Sequence, residues 1–70
     1  MAVSYDPLWH LLLNKKMTRL HLANIAGFST ATLAKLGKNE YVALTVLEKI
    51  CLALDCPIED VIQIVRDRNA

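Results

Sequence analysis

The sequence predicts an all-α domain of five short helices packed into one compact cluster. Three observations lead there. Only two glycines and two prolines occur in 70 residues, and no run of alternating β-branched residues is present. Apolar residues recur at i, i+3, i+4 and i+7, the spacing of one helix face. The apolar segments are also punctuated by Ser, Thr or Asp before them and by Gly or lysines after them, which are helix starts and stops. A chain of 70 residues supports a single core, so residues 1–70 are expected to form one domain.

Asp6-Pro7 opens helix 1: an acceptor side chain stands at the cap, followed by a ring already set to helical φ. Leu8, Leu11 and Leu12 form its apolar face, Trp9 and Leu13 a second strip, and Lys15-Lys16 complement its carbonyl end. Thr18 caps helix 2, which turns Leu22, Ala23 and Ala26 inward and stops at Gly27, where a left-handed backbone costs least. Phe28 is an apolar residue in the turn. Ser29 caps helix 3, anchored by Leu33 and Leu36 and ended by Gly37. Residues 38–43 read as a loop. Helix 4 carries Leu47, Ile50, Cys51 and Leu54, and opens either at a Thr45-x-x-Glu48 capping box or earlier, near Ala43. Helix 5 is expected to start at Pro57 and to bury Ile58, Val61, Ile62 and Val65. Arg66–Ala70 is expected to be a polar, frayed tail.

Charge is unevenly placed. Residues 14–40 hold Lys15, Lys16, Arg19, Lys35 and Lys38 against Glu40 alone, although the whole chain is only +1. A basic middle fits a polyanionic partner. Cys51 and Cys56 are expected to be reduced, partly buried apolar side chains, and with His10 and His21 they make no metal-ligand spacing. No cofactor is implied. No Ser-His-Asp or Cys-His arrangement, Gly-rich phosphate loop or carboxylate pair supports an enzyme. No stretch approaches the about 20 apolar residues of a membrane span, and the first residues lack a signal peptide's basic region. A soluble, cytoplasmic protein without a membrane partner is expected.

The stretch from Thr18 to Leu36 meets the demands of a helix-turn-helix. Ala23 is small enough for the second helix to cross closely, and Gly27, four positions on, tolerates positive φ. Phe28 plugs the turn, while Leu33 and Leu36 hold the second helix down. With these residues, Leu-Ala-Lys-Leu-Gly-Lys-Asn-Glu and the later Leu-Glu-Lys-Ile-Cys-x-Ala-Leu-x-Cys, nearly the whole chain resembles the phage repressor and Cro-like (XRE-type) helix-turn-helix family. It looks closest to the short stand-alone members. The resemblance implies a lambda-repressor-like bundle of five helices, cytoplasmic transcriptional regulation, commonly repression, and often a homodimer on a palindromic double-stranded DNA operator.

Carried over by position, Ser29, Thr30, Ala31 and Thr32 match the start of the recognition helix, beside base edges or flanking phosphates. Lys35 lies one turn further along the exposed face. Lys38 and Asn39 match the loop that grips the DNA backbone, and Arg19 matches a phosphate contact at the start of helix 2. Three departures stand out. Arg19 replaces a common Gln, the recognition helix has no Arg, Asn or Gln, and Ala43 replaces a common capping Ser. Direct base readout should therefore be modest, with more weight on DNA shape and on pairing two domains. The strip of Tyr5, Trp9 and Leu13, with Ile64, is a candidate dimer surface, and Trp9 is otherwise expected to pack on helix 5. The competing function is a protein-interaction module on the same scaffold, with weak or no DNA binding.

Overall fold

Four α-helices, one 3-10 turn and a two-stranded antiparallel sheet make up residues 2–66, the residues described by the computed structural model. In chain order they are β1 (Ala2–Ser4), α1 (Asp6–Lys15), α2 (Arg19–Ala26), α3 (Thr30–Gly37), α4 (Leu44–Leu54), the 3-10 turn (Ile58–Asp60) and β2 (Gln63–Val65). The part of the expected tail beyond Arg66 lies outside the described residues.

The first four helices fall where the apolar periodicity puts them, but the all-α expectation and helix 5 are corrected. After Pro57 the chain makes a single 3-10 turn, Val61 donates to the Ile58 carbonyl at 2.9 Å, and the backbone then extends. Ala2, Val3 and Ser4 face Val65, Ile64 and Gln63 across the ladder. One turn is enough to bury Val61 completely. Continuing the helix would leave the β1 backbone unpaired. The run Ile62-Gln63-Ile64-Val65, rich in β-branched residues, also suits an extended chain. Ile58, Ile64 and Val65 consequently remain exposed.

Every helix contributes to one core, built from Val3, Tyr5, Leu8, Leu12, Leu22, Leu36, Leu47, Ile50, Leu54 and Val61. α2 lies at the centre and packs on both α3 and α4. Truncating a fully enclosed member such as Ile50 to Ala removes transfer energy and leaves a cavity, at a cost of about 2–5 kcal/mol. Tyr5, expected on an outer strip, is instead buried. Its hydroxyl donates to the Glu40 carbonyl at 2.7 Å and its N–H donates to Asn39 Oδ1 at 3.1 Å, tying the start of α1 to the loop after α3. Tyr5 thereby drops out of the Tyr5–Trp9–Leu13 strip as a candidate dimer contact, while Leu13 and Ile64 are exposed.

Helix ends refine the sequence expectation. Tyr5, not Asp6, is the N-cap of α1, and Asp6 sits in the first turn with its N–H donated to Ser4 Oγ. α4 opens at Ala43 with no side-chain cap, so the Thr45–Glu48 box does not form. Gly37 is the last helical residue of α3 rather than its left-handed stop; that conformation falls on Asn39 at φ 57°. Lys16 and Asp55 end α1 and α4 in the same way, so glycine takes this role only at Gly27. Cys51 and Cys56 are free and half-buried, and burial beside Cys51 pushes the Cys56 thiol above its ordinary value.

Candidate nucleic-acid interface

The turn between α2 and α3 is built on one carbonyl. Ala23 O accepts from Gly27 N–H at 2.9 Å and from Phe28 N–H at 3.1 Å, and only a left-handed residue 27, here φ 84°, allows both bonds. Ala23 is buried, which lets the helices cross closely, and Phe28 packs against the core as a plug. Leu36 is fully enclosed beneath α3, while Leu33 is half-buried. The rest of α3 is left facing outward.

Both helices of the pair start at capped termini. Thr18 Oγ1 accepts from His21 N–H at 3.1 Å, and Ser29 Oγ accepts from Thr32 N–H at 3.2 Å. Ser29 and Thr32 hydroxyls also bond each other at 3.2 Å. Each cap is worth about 1 kcal/mol, and each leaves the positive end of a helix dipole at the surface.

Thr30, Ala31, Lys35 and Lys38 all lie exposed on α3 and its end, with Ser29 at the cap, while Thr32 is half-buried. Ala34 shares this outward face. It was not singled out from the sequence, although it lies four residues after Thr30 and three after Ala31. Asn39 lies in the expected loop, but its side-chain carbonyl is used internally on Tyr5.

Arg19, the first residue of α2, is exposed, yet it is held. Its guanidinium carbon lies 3.8 Å from the centre of the Trp9 ring, a cation–π stack worth about 0.5–1 kcal/mol at a surface. One of its nitrogens passes over Gly37 at the end of α3, where an added Cβ would stand 3.5 Å away. Trp9 is thus placed beneath Arg19, not against a fifth helix. The signal for it in the sequence was faint, because the two residues sit on different helices.

Among the described residues no three His, Cys, Asp or Glu side chains gather as a metal site, and no helix is long and apolar enough to cross a membrane. Fold and surface together define a helix-turn-helix domain with a capped, outward second helix beside basic side chains. The chain belongs to the Cro/C1-type helix-turn-helix DNA-binding domain family, whose model matches residues 7–67. Among solved structures it is similar to the crystal structure of the transcriptional regulator VanUg, form II. The two share 45% identity and superpose with a TM-score of 0.90 over 94% of this chain and 88% of that one. No curated protein matches the chain significantly.

Proposed function

We propose that this protein is a sequence-specific double-stranded DNA-binding regulator that lays α3 in the major groove and represses transcription by occupying an operator. The observation that carries the reading is the exposed, capped face of α3, from Ser29 to Lys38, which no other part of the described chain covers. Thr30, Ala31, Thr32 and Lys35 are assigned to base edges, with Ala and Thr suited to thymine methyl groups. Arg19, Ser29, Lys38 and Asn39 are assigned to phosphates. The role of the similar VanUg structure as a transcriptional regulator supports the same reading.

With so few strong base contacts, one domain would discriminate weakly. A homodimer reading two half-sites about 34 Å apart supplies the missing affinity. The test is anisotropy of a labelled duplex titrated with protein from about 50 to 200 mM salt. A steep, linear log–log decline, roughly −0.9 per phosphate contact, supports the proposal and leads to operator selection. Folded protein that fails to bind at the lowest salt sinks it. That outcome would favour the protein-interaction module, for which Tyr41, Leu44 and Leu52, exposed at 74, 70 and 76%, supply apolar contact surface.

A further inference from the structure

We infer that Trp9 is a positioning residue for DNA contact: its indole face holds the Arg19 guanidinium in place as a preset phosphate clamp. The inference rests on the DNA-binding function proposed above and adds to it a residue on α1, outside the helix-turn-helix itself.

The argument is geometric. A guanidinium carries five N–H donors, all in its plane, and stacking on an aromatic ring engages only its flat face. The Trp9 contact at 3.8 Å therefore restrains Arg19 without consuming a donor. Among the described residues no carboxylate or carbonyl hydrogen-bonds this arginine, so its charge and its donor edge are both available. Gly37 provides the other wall, since the guanidinium passes over the end of α3, one residue before Lys38, within ordinary contact distance of where a Cβ would stand. Beneath lies a shallow cavity of about 220 Å³, lined by Trp9, Leu12, Leu13, Met17, Thr18 and Arg19. Without the indole, the arginine stem is free to collapse toward that apolar space. A free arginine loses rotamer entropy when it grips a phosphate, whereas a stacked one has already lost much of it on folding.

The test is a double-mutant cycle on duplex binding, using wild type, Arg19→Gln, Trp9→Leu and the double variant, each with its salt dependence. Arg19→Gln should weaken binding about tenfold and make the salt slope shallower by about 0.9. Trp9→Leu should weaken binding roughly two- to fivefold when Arg19 is present and leave it unchanged when Arg19 is Gln. Trp9→Tyr, which keeps an aromatic face, should recover most of the affinity. Equal losses from Trp9→Leu in both backgrounds would make Trp9 merely structural and overturn the inference. Wild-type protein that shows no salt-dependent binding overturns the DNA-binding function itself, a result read before any variant is made. Trp9 is the chain's single tryptophan, so its emission reports the stack even where a Trp9 variant fails to fold. Emission that is identical in wild type and Arg19→Gln would show that the stack does not exist in solution.

Discussion

The two glycines look alike in the sequence, each closing a helix of the motif, but the backbone assigns them opposite roles. Gly27 holds φ 84° with open space where a Cβ would go, so Gly27→Ala suffers conformational strain alone, about 1–2 kcal/mol of lost stability. Gly37 is helical, and its added Cβ would meet Arg19 at an ordinary contact distance. Gly37→Ala should therefore stabilise the fold by about 0.5–1 kcal/mol, chiefly by restricting the unfolded chain. Urea denaturation of the two variants decides the matter, and shifts in the same direction would refute the assignment. At Ser29 the hydroxyl caps α3 through the Thr32 N–H, so Ser29→Ala should cost about 1 kcal/mol in the stability of the free protein.

At the scale of elements, the instructive segment is the one after Pro57. Its spacing of apolar residues fits a helix, and a helix there would bury Ile58, Val61, Ile62 and Val65 together. The structure buries Val61 fully and leaves Ile58 at 45% and Val65 at 43% exposed. Chemical denaturation separates the two arrangements. Val61→Ala should lose about 2 kcal/mol, while Ile58→Ala and Val65→Ala should each lose well under 1. Comparable losses at all three positions would restore the fifth helix. The four true helices were legible because each carries its own apolar stripe and most carry their own stop signals. Strand β2 was not legible, since a three-residue strand exists only through its partner at the other end of the described chain, Ala2–Ser4.

For the molecule as a whole, electrostatics should separate binding from stability. Lys35 and Lys38 are exposed, so changing both to Ala should leave the melting temperature nearly unchanged. Duplex binding should become weaker, with a salt slope shallower by about 0.9 from the lost Lys38 phosphate contact and poorer base discrimination from the loss of Lys35. A large drop in stability with unaltered affinity would mean these lysines serve the fold instead. Tyr5 gives a separate, pH-dependent signature. Burial pushes its phenol above the ordinary value of 10, partly offset by the Val42 backbone. The neutral form is therefore favoured in the folded state, and its contribution is complete below pH 10. Above pH 10 the unfolded chain releases this proton first, so stability should fall as pH rises toward the raised value. Tyr5→Phe should flatten that alkaline decline in a series of melts, at the expense of the bond to Glu40.

Much of the helix-turn-helix that carries the candidate interface could be read from residue types alone. Ala23, Gly27, Phe28 and Leu36 impose their geometry within about a dozen residues, so their spacing carries it, and the exposure of Thr30, Ala31 and Lys35 follows from helical period. The basic character of the middle of the chain is equally a property of sequence. Tertiary structure alone decided what depends on residues far apart: the sheet joining residues 2–4 to residues 63–65, the burial of Tyr5 under the Asn39–Glu40 loop, and the stacking of Arg19 on Trp9. Short-range rules govern the first group because a helix satisfies its backbone from within. The second group pairs groups that no local conformation can satisfy, so their partners are settled only when the chain closes on itself.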